Sequence, residues 1–376
     1  VAPDRVGQAG LIGYTKSLGR ERAEDVVRAI DVDPMMAPSE AAAAIAKEIL
    51  GADLDLEVAW SAELRRVVEL VPEALPAGGA IQSTDVAVIT GGAGDLGTQI
   101  ARALATKKLR GLILVGRRPE DAAIQKLLTE LSGSGTKAVY ASADATDAKA
   151  LKSALERASS AVGAPTLGLH IAGLIEDAAV EKKTQESLTR VLSTKVRGLS
   201  ALLEAAPGLR RVIAFTSWAG RFGNAGQADY AAANEITARA LTRAGMSGLA
   251  IDWPPWASSA MVQKIPSAIQ SAMRAQGVTF VGDQEGAEVA LQLIAAPVSG
   301  TVVIGRELPA RSTKTLEEME ISLHATPYLD DHRLKGDPVL PLASATDLLI
   351  EAALAAQGPR AGRAVIVDEL ELVRGV

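Results

Sequence analysis

The chain has 376 residues, 48% hydrophobic and 22% charged, a balance that fits a folded protein of about two or three domains and excludes wholesale disorder. Its 39 basic and 45 acidic residues give a net charge of -6 with no basic stretch to follow a phosphate backbone, so nucleic acid is not an expected partner. The absence of Cys excludes a disulfide framework, thiol catalysis and thiolate metal sites, and no run of about 18 apolar residues or signal peptide points to a membrane or to export. A cytoplasmic location is therefore expected, no metal is implied, and the start at Val1 reads as a cut from a longer chain.

Residues 7–70 carry a weak alternation. A helical stretch over 10–22 is followed by a strand over 26–32, a helix from Ser39 as N-cap to Gly51 as its stop, and a strand over 56–60. No glycine-rich turn joins a strand to a helix here, so this half is expected to be a structural α/β partner without a cofactor. Residues 71–83, with Pro72, Pro76, Gly78 and Gly79, read as a connection.

From 85 to 305 the alternation is strong. Short apolar runs at 85–89, 112–115, 138–140, 167–171, 212–215, 249–251 and 302–304 are separated by stretches of helical length. Near-continuous apolar strands between helices predict a doubly wound α/β domain, a parallel sheet covered on both faces. After Arg306 the alternation stops.

The first of these strands runs into Thr90-Gly91-Gly92-Ala93-Gly94-Asp95-Leu96-Gly97 and then an apolar helix. Gly92, Gly94 and Gly97 satisfy G-x-G-x-x-G, in which glycines permit a tight turn and let backbone N–H groups approach a pyrophosphate at the positive helix end. The second strand ends at Arg117 and Arg118, where an enzyme using NAD would place a carboxylate, so two guanidinium groups point to the 2′-phosphate of NADP(H). Asp144, after the third strand, can accept a hydrogen bond from an adenine amino group, or it can be an ordinary loop residue.

Ser217 follows the fifth strand, Tyr230 comes thirteen positions later, and Asn234 lies one helical turn beyond Tyr230 on the same face. Lys195 lies upstream in Thr194-Lys195-Val196-Arg197-Gly198. Together with His170-Ile171-Ala172-Gly173, the string from Ser217 to Gln227 and Pro255-Trp256, this pattern resembles the ketoreductase domains of polyketide synthases and polyunsaturated fatty acid synthases. Those domains are a branch of the short-chain dehydrogenase/reductase superfamily with a Rossmann fold, and the likeness covers about residues 1–308. A simple member of the superfamily carries Lys at position 234, whereas Asn234 with Lys195 is the exchanged arrangement of the ketoreductases. The N-terminal half resembles their structural subdomain with its first strands missing.

The resemblance implies NADPH contacts from Thr90, Gly91, Gly92, Gly94, Asp95, Leu96, Gly97, Arg117, Arg118, Asp144, Ala172 and Gly173. It also implies a 3-ketoacyl substrate tethered to an acyl carrier protein, with other domains of the same synthase as partners. Chemically, ketone reduction needs a hydride donor and a proton donor at the oxygen. Tyr230 would give the proton, Lys195 would lower its pKa through charge, Ser217 would hold the developing alkoxide, and Asn234 would hold Lys195 or a relay water. By the same resemblance Asp177 marks the D (3R) alcohol, and Phe222 stands where makers of the opposite alcohol carry Trp. A loop and helix from Trp253 to about Gln276 should cover the substrate.

Finally, His332-Arg333-Leu334-Lys335-Gly336-Asp337-Pro338-Val339-Leu340-Pro341 resembles the His-x-x-x-Gly-x-x-x-x-Pro string of hot-dog dehydratases, with a helix expected over 346–356. His332 would remove the α-proton of a 3-hydroxyacyl thioester. The second hot-dog half and its carboxylate are not in the sequence, so the chain alone is not expected to dehydrate. The expected division is a structural subdomain (1–76), an NADPH-binding catalytic domain (84–308), a linker (309–324) and the start of a dehydratase (325–376). Two other readings are a silent Rossmann scaffold, which predicts loss of Lys195, Ser217 or Tyr230, and a stand-alone dehydrogenase or epimerase, which predicts Tyr-x-x-x-Lys.

Overall fold

A computed structural model describes residues 3–22, 25, 27–50, 55–62, 64–74, 79, 81–243, 247–263, 265–275 and 278–305, and, further on, 330–331, 333–334, 336–338, 341 and 344. The chain divides into two units, Val1–Glu307 and Leu308–Val376.

The first unit opens with a 3-10 turn, Pro3–Gln8, that runs into α1 (Ala9–Glu21). Then come β1 (Ala29–Val32), α2 (Pro38–Leu50), β2 (Glu57–Ser61) and β3 (Leu64–Val67). β2 pairs in parallel with β1 and antiparallel with β3. The expected Ser39 cap is corrected: Pro38 takes the first helical position, where its missing N–H costs nothing, and the Ala37 N–H donates to Glu40 Oε2 at 3.1 Å. Ser39 lies inside the first turn, and Gly51 is outside the described residues.

β3 is absent from the sequence reading because Arg65 and Arg66 break its apolar pattern. Arg65 is there for a tertiary reason. Buried Glu48, on α2, accepts from Arg65 Nε (2.7 Å), Trp60 Nε1 (2.7 Å) and Arg28 Nη1 (2.5 Å). The Arg65 contact leads the causes that hold its carboxyl down at about 2, against the opposing effect of burial.

The larger sheet follows in strict alternation. Its elements are β4 (Val86–Thr90), α3 (Asp95–Ala105), β5 (Gly111–Gly116), α4 (Ala122–Gly133), β6 (Ala138–Ser142), α5 (Ala148–Val162) and β7 (Leu167–His170). Next are α6 (Gln185–Leu192), a π-helical turn Ser193–Arg197, α7 (Gly198–Ala205), β8 (Arg211–Ser217), α8 (Trp218–Phe222), α9 (Ala228–Arg243) and β9 (Ser247–Trp253). Two short helices, α10 (Ala260–Gln263) and α11 (Ser267–Ala275), replace the single covering helix expected after Trp256, and α12 (Asp283–Ala295) leads to β10 (Gly300–Val303).

The sheet order is β10-β9-β8-β7-β4-β5-β6, and every pairing is parallel. Alternate strand residues serve opposite layers, as a doubly wound sheet requires. Ala87, Ile89, Leu112 and Leu114 pack with Ile100, Leu104, Leu127 and Leu293 from α3, α4 and α12. Val86, Val88, Ile113 and Val115 pack with Leu151, Leu202 and Leu241 from α5, α7 and α9. The order of winding reverses between β4 and β7, so their carboxyl ends open the crevice in which such folds bind ligands.

α9 is buried nearly all round because α1 covers the side away from the sheet. Glycine makes that close approach possible: a Cβ at Gly13 would lie 2.4 Å from the Ala231 carbonyl oxygen.

In the second unit the described residues include one short antiparallel pair, β11 (Arg333–Leu334) with β12 (Asp337–Pro338), turning through Gly336 at φ +97°. His332, the linker 309–324 and the helix expected over 346–356 lie outside the described residues. Among the described residues no helix is long and apolar enough to cross a membrane.

Candidate active site

The turn after β4 is built around contacts that no larger residue could make. A Cβ at Gly97 would lie 2.1 Å from the Gly91 carbonyl oxygen, and one at Gly92 would lie 2.8 Å from that of Ile89. Gly91 has φ +72°, and its Cβ would lie 2.9 Å from the amide nitrogen of Ala172, so the turn rests on the Ala172-Gly173 segment after β7. The Gly91 and Gly92 N–H groups both donate to Val115 O (2.9 and 3.1 Å), and that of Gly94 donates to Gly91 O (3.0 Å).

These three glycine N–H groups are thereby spent inside the turn. α3 begins at Asp95, Gly94 caps it with no side-chain hydrogen bond, and the first-turn N–H groups of Leu96 and Gly97 lack intrahelical acceptors. These donors can meet an anion.

A cavity of about 300 Å³ extends from Gly91 and Gly94 to Gly116, Arg117, Arg118 and Tyr140. Its size, small-residue floor and exposed guanidinium groups fit the adenosine end of a dinucleotide. Arg118 Nε lies 3.4 Å from Asp121 Oδ2. Sequence reasoning missed the supports of this corner: Tyr140 Oη and Ser142 Oγ both donate to Arg118 O, at 2.8 and 3.2 Å. Two polar side chains at i and i+2 on an otherwise apolar strand were the available signal. Asp144 is exposed, and its Oδ1 accepts from the Thr146 N–H (2.9 Å) and Oγ1 (2.8 Å) in a local turn.

Thr90, the last residue of β4, donates from Oγ1 to His170 Nδ1 (2.8 Å), and His170 Nε2 donates to Lys195 O (2.9 Å). The carbonyl can only accept, which fixes this neutral tautomer. Burial, then the Lys195 charge, pushes the His170 pKa down to about 3. The unfolded chain therefore binds this proton near 6.5 while the fold refuses it. Stability from this group is full above about 6.5 and is lost as pH falls toward 3, at about 1.4 kcal/mol per pH unit. His170→Asn should be less stable at pH 7 but lose less on acidification from pH 7 to 5, as urea midpoints at the two values would report.

Lys195 sits in the π-helical turn between α6 and α7, a local irregularity that recurs at functional sites. It is 2% exposed; Nζ donates to Phe215 O (2.5 Å), two residues before Ser217, and burial lowers its pKa to about 8. A Cβ at Gly173 would lie 3.2 Å from its Cε, so Gly173 leaves the lysine its channel.

Ser217 ends β8 and caps α8, accepting from the Ala219 N–H (3.2 Å). Tyr230 is half-buried on the first turns of α9. Burial raises its pKa, hydrogen bonding with Asn234 and Ser217 pulls it back, and the Asp177 charge raises it further. Lys195, whose pKa is lowered to about 8 by burial, is not among these causes, and its ammonium donates to the β8 backbone. Asn234 Nδ2 donates to Tyr230 O (2.8 Å), and its Oδ1 is buried with no partner, an acceptor open to a water or substrate proton.

Asp177 accepts from Gln227 Nε2 (3.0 Å), and burial raises its pKa. Phe222 meets Trp218 edge to face at 5.7 Å. Ser217 and Asn234 thus both lie near enough to act on the Tyr230 phenol, and Lys195 is tied to the strand that carries Ser217.

Residues 86–258 match the family model of the KR domain. A polyunsaturated fatty acid synthase protein of Thraustochytrium sp. is 28% identical over 443 residues, covering 99% of this chain and 15% of that protein. The spectinabilin polyketide synthase system protein NorA' of Streptomyces orinoci is 31% identical over 271 residues, covering 70% of this chain and 7% of its own length. Among solved structures, a ketoreductase from the first module of phoslactomycin biosynthesis in Streptomyces sp. HK803 superposes with a TM-score of 0.66 at 25% identity, covering 78% of this chain and 69% of that one. The chain therefore spans a small part of the synthase proteins it matches. The parallel sheet order, the glycine turn at its switch point and the match over 86–258 lead to one assignment: this segment belongs to the ketoreductase (KR) domain family, with relatives among polyketide and polyunsaturated fatty acid synthases.

Proposed function

We propose that the chain reduces a 3-ketoacyl thioester, carried on an acyl carrier protein of its own synthase, to the 3-hydroxyacyl thioester with NADPH. The carrying observation is the Ser217, Tyr230 and Asn234 set next to the crevice between β4 and β7. Bound NADPH supplies the hydride to the ketone carbon. Tyr230 Oη gives its proton to the ketone oxygen, and Ser217 Oγ donates a second hydrogen bond to that oxygen as negative charge develops. Lys195 then returns a proton to the tyrosinate through a water held by Asn234 Oδ1, and is itself reprotonated from solvent. Asp177, beside Tyr230, supports the D (3R) alcohol, and Arg117 and Arg118 bind the 2′-phosphate.

The same proposal includes the division at 1–76, 84–308, 309–324 and 325–376, a cytoplasmic synthase, and a dehydratase start in which His332 is the base. That last part rests on the residue string from His332 to Pro341.

The test is oxidation of NADPH by the purified chain with a free or carrier-bound 3-ketoacyl thioester. Turnover should be at least roughly tenfold slower with NADH, and Arg117→Ser with Arg118→Ser should erase that preference by weakening NADPH binding alone. A folded chain that binds NADPH but reduces neither form of substrate would make the reading wrong, in favour of a silent scaffold.

A further inference from the structure

Glu21 closes α1, in the half of the chain without a cofactor turn, yet its carboxylate reaches two loops beside the reductase site. Oε2 accepts from the Val180 N–H and Oε1 from the Gly226 N–H, both at 2.9 Å. The first loop carries Asp177, and the second leads from α8 into Tyr230.

The loops are also joined directly. The Ala178 N–H donates to Gly226 O (3.0 Å), Gln227 Nε2 to Asp177 Oδ1 (3.0 Å), and buried Lys183 pairs with buried Asp229 at 2.7 Å, one residue before Tyr230. Around Glu21, Ser17 Oγ accepts from the Asn224 N–H (3.1 Å) and Arg20 Nε donates to Phe222 O (3.2 Å). Gly223, at φ +71°, lies so close to α1 that its Cβ would be 2.4 Å from the Lys16 carbonyl.

We propose that Glu21 is a positioning residue for the reduction: one carboxylate sets the spacing of the Asp177 loop from the Tyr230 loop and thereby selects the ketone face presented to the hydride. Two charge-assisted bonds to main-chain N–H groups hold segments that, as loops, would otherwise open readily. Only a carboxylate offers two acceptors at this fork without a donor facing an N–H. The inference rests on the reductase reading, so one of its tests does not require turnover.

In Glu21→Ala, amide hydrogen exchange at Val180 and Gly226 should accelerate about tenfold, with β4 unchanged. The share of the minor 3-hydroxy enantiomer should rise about fivefold and kcat/KM fall, while NADPH affinity stays the same. The enantiomer ratio does not depend on how much of the protein is folded, so loss of structure alone would not move it. Glu21→Gln keeps one acceptor and should give intermediate values. Unchanged exchange overturns the clip whether or not the chain turns over. Faster exchange with an unaltered enantiomer ratio overturns the positioning role. An inactive wild-type chain overturns the reductase reading and the steering with it, while exchange still decides the clip.

Discussion

Tyr230→Phe is expected to cut ketone reduction by roughly 10²–10⁴-fold while leaving NADPH binding and melting temperature near those of the parent chain. The ring stays, so packing on α9 is kept, and the hydroxyl is the one group removed. Ser217 Oγ can still polarise the carbonyl, but without Oη no group at that place delivers the proton. Because the Tyr230 pKa is raised by burial, the phenol is protonated throughout the neutral range, as a proton donor must be. Steady-state rates beside an NADPH titration check this. A loss in KM alone, with kcat intact, would show that Tyr230 only helps to hold the substrate.

Gly97→Ala should have the next largest effect. Position 97 lies in the first turn of α3, where intrinsic helix propensity favours Ala over Gly by about 1 kcal/mol. Packing decides the opposite sign: the new Cβ would sit 2.1 Å from the Gly91 carbonyl oxygen and 2.7 Å from the Gly92 Cα, both backbone atoms that no rotamer change can move. A loss of about 3 kcal/mol or more in stability is expected, with NADPH affinity at least tenfold weaker, because relief requires opening the turn. Gly94→Ala is the control. Its nearest neighbour would be a single oxygen at 3.2 Å, and its backbone (φ -89°, ψ 177°) suits any residue. Melting curves of the two variants should separate them; equal losses of stability would show that the turn yields at both positions.

Much of this architecture was legible before any coordinates. The seven strand runs were found because strands buried on both faces must be apolar throughout, and the turn after β4 because only glycine permits its contacts. Tyr230 and Asn234 could be placed on one helical face by spacing. What escaped detection depends on partners distant in sequence. β3 carries Arg65 for Glu48 on α2, and Tyr140 and Ser142 serve the Arg118 carbonyl 22 and 24 residues away. The placement of Lys195 was also decided by tertiary structure, since its ammonium meets Phe215 O and its burial lowers its pKa.

By itself, the sequence determined the doubly wound class and the glycine turn, because these follow from periodicity and glycine geometry, while the choice of Ser217, Tyr230, Lys195 and Asn234 as reacting side chains came from the resemblance to ketoreductase domains. Tertiary structure decided which N–H groups remain for an anion, where Lys195 points and how α1 reaches the site. Glu21 lies 159 residues from one of its partners and 205 from the other. Such contacts exist only once α1 packs on α9, and no local pattern along the chain encodes the distance between two helices.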